Sequence, residues 1–404
     1  MVYIGISQNT ESEKAGRQAG SEAKNQIPGG KDSISWVLGF CGGRHEPDKV
    51  LNGIRSELGN VDIYGGSAVG IITNSSLGYT GYECGLAVFT TSFPAPRVLM
   101  NDDLMASEYE AGRNLGLRLD DVTTEGDTVL IFYDNTRSAP PPVLHIGSQL
   151  VDGLYTGLGE KNLHIIGAGM IGDFMFSPSF VFDGHKKVKH SAVAIVLPGE
   201  ILQSHTTLMH GCSPVSSFVE ITRIDGPVLY ELDGRSAIEV ISEKLSIDLE
   251  TLPEIIQSLM LTIGEKHGDI YAPFNEKVYV NRLIIDSNLE DGSVTLFEAD
   301  FHQGTKVQIM SRDNRMMVES VQKGTSELLE TIDMEKVEFA LYIDCAGRAC
   351  NFSGSEVEEA GIIRKIIGNS MPLLGFFSGV EIAPLLGRSR PLDWTGVLTI
   401  FTRG

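Results

Sequence analysis

Apolar residues in this chain form short runs, about five to eight residues long, that are bounded by glycine and polar residues and alternate with amphipathic stretches. Runs of that length are too short for helices and predict buried strands. The amphipathic stretches between them have helical spacing. The same order of predicted elements, β-α-β-α-β-β, occurs three times, so we interpret the sequence as an internal repeat.

Each repeat begins with a short strand and a helix. The predicted first strands are Val2–Ile6, Arg97–Met100 and Lys306–Met310, and the helices after them are about Glu11–Gln26, Leu104–Leu119 and Asn314–Thr331. The first two helices share the tripeptide Ala-Gly-Arg, at residues 15–17 and 111–113. This shared string supports a duplication.

A buried strand, a turn and a second helix come next in each repeat. These strands are predicted at Ile34–Cys41, Thr128–Tyr133 and Glu338–Ile343, and the helices at about Pro47–Leu58, Pro142–Gly157 and Gly354–Ile367. Pro47 and Pro142 stand where helix starts tolerate proline.

Each repeat closes with two strands. The first runs into glycines and the second is longer; they are predicted at 63–70 and Cys84–Thr90, at 165–169 and Ala192–Leu197, and at 373–379 and Gly396–Phe401. Because no crossover helix separates these two strands, part of each sheet is expected to be antiparallel. The sequence therefore predicts an α/β protein of mixed α+β character, with mixed sheets covered by helices.

The stretch from about His205 to Thr305 does not fit the repeat. Strands are predicted there near Phe218–Ile224, Val278–Ile285 and Ser293–Ala299, and helices near Ser236–Leu245 and Pro253–Gly264. We place a domain boundary in this stretch. Residues 1–230 would then hold two repeat units, and residues 231–404 the third unit with the insertion.

Composition and charge exclude several classes of partner. With 404 residues the chain is long enough for two domains, and 32 basic against 53 acidic residues give a net charge of −21. Such a field repels phosphate backbones and anionic lipid, so we expect neither nucleic acid nor membrane partners. The chain has no apolar run of membrane-spanning length and no secretory signal in its first eight residues, which favours a cytoplasmic location. Its five scattered cysteines predict reduced thiols.

Residues 167–172 spell G-x-G-x-x-G directly after a predicted strand. In a dinucleotide site these glycines begin a helix whose N-terminus binds the pyrophosphate. Here Phe174–Pro178 reads as extended, and Pro178 would break an early helix. We therefore predict a glycine turn between strands at this position.

Three residues close together, His205, His210 and Cys212, carry donor atoms that ligate metals and haem. No second pair at zinc spacing accompanies them, so ordinary strand or loop positions are the alternative. Cys345 and Cys350 could likewise form a redox pair.

Strand ends of the third repeat carry the remaining candidates. Arg348 and Glu381 both follow such ends, where ligands gather in sheets covered by helices. Arg348 could orient an anionic or amide-bearing ligand while Glu381 accepts its hydrogen bonds; alternatively the two form a structural ion pair. The cavity expected there would also include the following residues: Ser378, Gly379, Phe377 and Cys345. No residue is assigned as catalytic, because the sequence has no Gly-x-Ser-x-Gly elbow, His-Glu-x-x-His motif or Walker loop.

Four strings in order along the chain resemble the FIST family. They are HGCSPV at 210–215, FHQGT at 301–305, DCAGR at 344–348 and GFFSGVEIAP at 375–384. One departure concerns residues 392–395, Leu-Asp-Trp-Thr, where the family often carries a His-Asn-x-Thr string. Any ligand role of that asparagine does not carry over to this chain.

The resemblance implies a sensory protein that binds a small ligand and is coupled to a histidine kinase or a cyclic-dinucleotide enzyme. Because no output module is visible in this sequence, the output would be a separate protein. One subgroup of the family is described as binding haem and responding to nitric oxide, so a haem-based gas sensor is the first alternative. A hydrolase or lyase that uses Cys345 or Glu381 is the second.

Overall fold

The computed structural model describes residues 1–28, 34–93, 95–161, 163–258 and 260–404. Helices hold 28% of the chain and strands 39%, in several mixed sheets, which confirms the predicted class. Within these described ranges, none of the helices has the length and apolar character needed to cross a membrane.

The first unit contains six strands and two helices. They are β1 (Val2–Ser7), α1 (Ser12–Asn25), β2 (Ile34–Gly42), α2 (Pro47–Leu58), β3 (Asp62–Ala68), β4 (Ile71–Thr73), β5 (Leu77–Gly78) and β6 (Cys84–Thr90).

The second unit contains β7 (Arg97–Asn101), α3 (Glu108–Val122), β8 (Thr128–Asp134), β9 (Thr136–Ser138), β10 (Val143–Leu144), α4 (Gly147–Leu158), β11 (His164–Met170), β12 (Val181–Gly184), β13 (Lys187–Val188) and β14 (Ala192–Leu197). The predicted helix at Pro142–Gly157 is wrong at its start. Val143–Leu144 pairs with β9 instead, and α4 begins five residues after Pro142.

The shared Ala-Gly-Arg string marks the place where the two helices of a unit touch. A Cβ on Gly16 in α1 would lie 2.2 Å from the backbone oxygen of Val50 in α2. A Cβ on Gly112 in α3 would lie 2.0 Å from the oxygen of Leu150 in α4. Only glycine allows backbones to approach this closely, so the repeated residue has a packing role.

The third unit begins with β15 (Leu202–Met209), and its remaining elements follow a long insertion. They are α7 (Asn314–Glu330), β24 (Val337–Cys345), α8 (Cys350–Ser353), α9 (Glu359–Ile367), β25 (Leu373–Ser378), β26 (Val380–Leu385), β27 (Arg388–Leu392) and β28 (Gly396–Arg403). The insertion contains β16 (Cys212–Pro214), β17 (Val219–Asp225), β18 (Val228–Leu232), β19 (Arg235–Ser236), α5 (Ala237–Leu245), α6 (Leu252–Gln257), β20 (Leu261–Lys266), β21 (Tyr279–Asn288), β22 (Ser293–Leu296) and β23 (Lys306–Arg312).

All three units share one strand order. The core orders are β1-β6-β2-β3, β7-β14-β8-β11 and β15-β28-β24-β25, so the fourth core strand lies between the first and the second. The fourth strand is antiparallel to both neighbours, and the second and third are parallel. The prediction of Lys306–Met310 as the third unit's first strand is wrong: that segment is β23 of the insertion, and β15 takes the edge position.

Each unit also donates a strand to a neighbour. β4 of the first unit pairs with β25 of the third, β12 of the second pairs with β3 of the first, and β26 of the third pairs with β11 of the second. This cyclic exchange gives the three sheets a threefold arrangement. At its centre one phenylalanine from each unit meets the others: Phe40 stacks on Phe376 at 4.0 Å between ring centroids, and Phe132 lies 5.3 Å from Phe40.

The insertion has its own sheet and core. Its strands run β16-β23-β17-β18-β22-β21-β20, and β20 also pairs with β23, so the sheet closes on itself. The helix predicted at Pro253–Gly264 is too long, because α6 ends at Gln257 and Leu261–Lys266 is strand β20. Residue 259 lies outside the described ranges.

Candidate functional site

A cavity of about 330 Å³ lies where the third unit, the insertion and a loop of the second unit meet. The third unit contributes the end of β24, the turn and helix after it, the β25–β26 junction and the β27–β28 turn. The insertion contributes α6 and β21 with the residue after β22. The residues from those two parts are Cys345, Ala346, Gly347, Phe352, Ser378, Gly379, Asp393 and Trp394, and Gln257, Leu283, Ile285 and Phe297; the loop after β11 adds Ile171, Phe174 and Phe176.

The floor of the cavity is formed by two parallel strand ends. Cys345 and Ser378 are the last residues of β24 and β25 and are partners in the sheet register. Ser378 Oγ lies 2.8 Å from Glu381 Oε1 and 3.1 Å from the backbone oxygen of Asp344. The Ser378 hydroxyl is the donor to Glu381, whose pKa is raised well above its ordinary value by burial.

Trp394 forms one wall and is held from behind. The Arg312 guanidinium lies 4.3 Å from the ring centroid, and the indole Nε1 donates to Met317 Sδ at 3.4 Å. Its backbone has φ 58°, a strained value for a bulky residue. A Cβ on Gly347 would lie 2.5 Å from Trp394 Cζ3, so glycine is needed at this point of the DCAGR string.

Phenylalanines complete the walls and the mouth. Phe174 and Phe352 are stacked, with centroids 5.9 Å apart, and Phe176 lies 6.2 Å from Phe297. Phe352 is 46% exposed and Ile285 41% exposed, so the cavity opens to solvent between α8 and β21. The opening gives a small molecule access to a predominantly apolar interior with five aromatic rings.

Arg348 lies behind the wall, outside the lining. Its Nε and Nη2 donate to the two carboxylate oxygens of Glu359, and its Nη1 donates to the carbonyls of His210 and Trp394, each at 2.9 Å. Its Nε is also 3.2 Å from Asp344 Oδ1. The ion pairs of Arg348 are therefore with Glu359 and Asp344, and direct contact with a ligand would require some of these bonds to break.

The other predicted residues divide into two groups. Cys345, Ser378 and Gly379 line the cavity, and Glu381 is one hydrogen bond behind it. Phe377 points to a different core, where its ring lies 5.6 Å from that of Tyr79. The assignment of these residues to a ligand stays a prediction.

Two family domains match the chain, one after the other. Residues 35–235 match the FIST N domain, and residues 237–384 match the FIST C domain. The chain belongs to the FIST family.

The chain is similar along almost its whole length to proteins that are named as uncharacterised. An uncharacterised protein of Mycobacterium tuberculosis is 21% identical over 407 residues, 99% of each chain, and an uncharacterised Mycobacterium bovis protein is 22% identical over 411 residues, 99% of this chain and 98% of its own. Among solved structures, a cyanuric acid hydrolase aligns over 100% of this chain and 99% of its own, with TM-score 0.38 and 9% identity. A chorismatase aligns over 100% and 98%, with TM-score 0.33 and 8% identity.

The cavity wall formed by Asp393 and Trp394 was not predicted from the sequence. Asp393 and Trp394 stand in the string that departs from the family pattern, and both line the cavity. The signal was available, because the chain has two tryptophans and one of them falls in that string. Phe297 carried no comparable signal, since only the docking of the insertion brings it to the site.

The metal or haem hypothesis does not fit the residues that suggested it. His210 Nδ1 accepts from the backbone N–H of Cys212 at 2.9 Å, and its Nε2 donates to the carbonyl of Glu276 at 2.9 Å, so both ring nitrogens are engaged. The Nε2 atom of His205 lies 3.0 Å from Thr402 Oγ1 in the neighbouring strand. Within the described part of the chain, these three residues form no metal-binding cluster.

The G-x-G-x-x-G string does not begin a helix, which confirms that part of the prediction, but the predicted glycine turn is wrong because most of the string is strand. Gly167 and Gly169 lie within β11, and Gly172 follows in the loop. A Cβ on Gly167 would lie 1.8 Å from the backbone oxygen of Ile131 in the next strand, so the glycine serves close strand packing.

The cysteines are free thiols. Cys345 and Cys350 are not joined, and burial raises the pKa of Cys345 well above its ordinary value. A protonated thiol is a poor nucleophile.

Proposed function

We propose that this FIST protein is a sensor that binds a small, largely apolar ligand in the cavity walled by Trp394. The observation that carries the proposal is the aromatic lining of a 330 Å³ cavity with few polar groups at its floor. Cavities of a few hundred Å³ with apolar walls and a small number of placed polar groups are the usual form of small-molecule sites.

The position of the cavity suits a sensory role. The third unit, the insertion and the second unit's loop all contribute lining residues, so a bound molecule would contact all three. A ligand that contacts these parts better in one relative arrangement shifts the protein toward that arrangement. The proposal is completed by a separate cytoplasmic output protein, such as a histidine kinase or a cyclic-dinucleotide enzyme, that responds to the shift.

Local chemistry supports binding in preference to catalysis. The thiol of Cys345 is held in its protonated form by burial, and the hydroxyl of Ser378 is engaged with Glu381. Among the described residues that line the cavity there is no histidine to serve as a general base. These features favour a sensor over the hydrolase alternative.

The test uses the two tryptophans as built-in reporters. Trp36 stacks on Phe89 at 3.8 Å inside the core, whereas Trp394 faces the cavity. Gently purified protein is first examined by native mass spectrometry for a retained molecule, and a library of small molecules is then titrated while tryptophan fluorescence is recorded. We expect a change that disappears in Trp394→Phe and persists in Trp36→Phe.

A pair of matched substitutions locates the binding. Phe297→Ala removes a cavity wall, whereas Phe274→Ala removes an exposed ring of the insertion that does not line this cavity. Affinity should fall about tenfold in the first variant, the usual effect of losing a buried aromatic contact, and stay unchanged in the second. A screen in which no compound alters Trp394 fluorescence, with no retained molecule, would refute the proposal. Turnover of a bound compound would favour the hydrolase.

A further inference from the structure

We infer that the ligand of this cavity is an organic cation, held by aromatic faces and balanced by a surplus of buried carboxyl groups. The inference rests on the proposed function, because it gives a charge class to the molecule that the cavity binds. Two independent features of the described residues support it: the ring lining and the local balance of ionisable groups.

The first feature is the density of rings around one small volume. Five aromatic residues line the cavity: Phe174, Phe176, Phe297, Phe352 and Trp394. An aromatic face is negative at its centre and attracts a cation, most strongly where water is excluded. Several faces around one space are the arrangement by which proteins bind alkylated ammonium groups.

The second feature is an excess of carboxyl groups beside the cavity. Three buried arginines stand against five buried carboxyls, the arginines being Arg282, Arg312 and Arg348 and the carboxyls Glu298, Asp344, Glu359, Glu381 and Asp393; the less buried Asp300 and Arg390 add one group of each sign. There are therefore too few arginines beside the cavity to neutralise all of these carboxyl groups if every one of them were ionised.

The ion pairs show which carboxyls remain without a cation. Arg282 donates to both oxygens of Asp300 at 2.7 and 2.6 Å and reaches Asp393 at 3.4 Å. Arg348 is shared by Glu359 and Asp344. Among the described side chains, no salt bridge reaches Glu298 or Glu381, which are bonded to neutral donors: Ser148 and Gly147 for Glu298, and Ser378 and Thr395 for Glu381.

The third arginine does not correct the imbalance inside the cavity. Arg312 lies on the far side of the Trp394 ring, where it donates to Asn314 Oδ1 and to the backbone oxygen of Ser353. The donors of Arg348 are directed at Glu359 and two carbonyls. Among the described residues that line the cavity there is no arginine, so an anionic ligand would meet the Asp393 carboxyl without a guanidinium in the same lining.

Because the carboxyl groups without a cation are partly protonated, binding of a cation should change the number of protons that the protein holds. Burial, with the neighbouring Asp393 next in importance, raises the pKa of Glu298 to about 7, and burial raises that of Asp393 to about 6. The charged or titratable groups that face these two are Arg282, Asp300, Glu381 and Tyr133. A cation that enters stabilises the ionised carboxylates, so binding should release a proton to the buffer.

Three probes of one size separate the charge classes: benzylamine, which is cationic at neutral pH, benzyl alcohol, which is neutral, and benzoate, which is anionic. Each is titrated against the full chain with Trp394 fluorescence as the signal. We expect benzylamine to bind about tenfold more tightly than benzyl alcohol, and benzoate to bind more weakly than both. Calorimetry in phosphate and in Tris buffer should give different apparent enthalpies for benzylamine and equal ones for benzyl alcohol.

A substitution pair tests the role of the nearest carboxyl. Asp393→Asn should remove most of the preference for benzylamine and leave the affinity for benzyl alcohol unchanged, while Asp286→Asn, an exposed position on β21, should alter neither. The probe series in the parent protein needs no variant, so a poorly folded Asp393→Asn does not decide the outcome.

The possible results are distinct. Equal or tighter binding of benzyl alcohol or benzoate overturns the cation inference and leaves the proposed function standing. Silence of all three probes, together with binding of a neutral or anionic library compound, also overturns it. If neither the probes nor any library compound changes Trp394 fluorescence, the proposed function itself fails and the inference with it.

Discussion

Replacement of Arg348 by methionine removes a guanidinium group that has almost no access to water. Four acceptors lose their donor: both carboxylate oxygens of Glu359 and the carbonyls of His210 and Trp394. Removal of one partner from a buried ion pair costs about 3–5 kcal/mol. We expect Arg348→Met to lose that much free energy of unfolding, measured by urea denaturation with circular dichroism.

The loss should depend on pH in a defined direction. Burial raises the pKa of Glu359 above its ordinary 4.5, and Arg348 opposes that rise. Without Arg348 the folded-state pKa of Glu359 rises further, so the folded protein binds more protons than the unfolded chain and loses stability as the pH increases. The variant should therefore be more destabilised at about pH 8 than at about pH 5.

An exposed ion pair provides the control. Arg235 Nη1 lies 2.6 Å from Glu243 Oε2, with both side chains at least half exposed, and Arg235→Met should leave the unfolding curve unchanged. If Arg348→Met costs less than about 1 kcal/mol at every pH, the ion pair is not a buried structural contact. A variant of unchanged stability that binds the ligand more weakly would instead place Arg348 in contact with the ligand.

Three further substitutions give direct tests. Gly347→Ala should destabilise by about 1–3 kcal/mol and shift the tryptophan emission, because its Cβ would lie 2.5 Å from the ring of Trp394; unchanged emission would contradict this placement. Gly112→Ala should destabilise although it raises helix propensity, since its Cβ would lie 2.0 Å from a carbonyl of α4, whereas Gly361→Ala, with 4.0 Å of clearance, should be neutral or stabilising in thermal unfolding. Glu298→Gln should flatten the pH dependence of stability: the parent, with this pKa raised from 4.5 to about 7, loses stability as the pH rises through that interval, and an equal slope in the variant would contradict the assignment.

The repeat could be read from the sequence because its signals are local. Short apolar runs, glycine-rich strand ends and the Ala-Gly-Arg string each report on a few neighbouring residues, and they led to the fold class that the structure confirms. Strand pairing is not local. Lys306–Met310 stands directly before a helix, as a first strand should, yet its hydrogen bonds go to β20, and β15 precedes that helix by more than a hundred residues.

In the candidate site, too, local features could be predicted from the sequence and contacts between distant residues could not. Cys345 and Ser378 were predictable because parallel strands end at one edge of a sheet. The partner of Arg348 was not, since Glu359 is one of 53 acidic residues and only the packing of α9 selects it. Phe297 joins the cavity through the docking of the insertion, which no local pattern describes.

The cyclic exchange of strands makes each unit dependent on the other two. A unit cut from the chain would lose the strand that covers the edge of β3, β11 or β25 and would still carry a strand that has no partner. Exposed edges of this kind pair readily with other chains. Since every unit offers the strand that another lacks, three separate chains of one unit each could satisfy one another in a closed ring and leave none of these edges open. The single polypeptide is thus organised like a trimer with exchanged strands whose subunits are joined end to end.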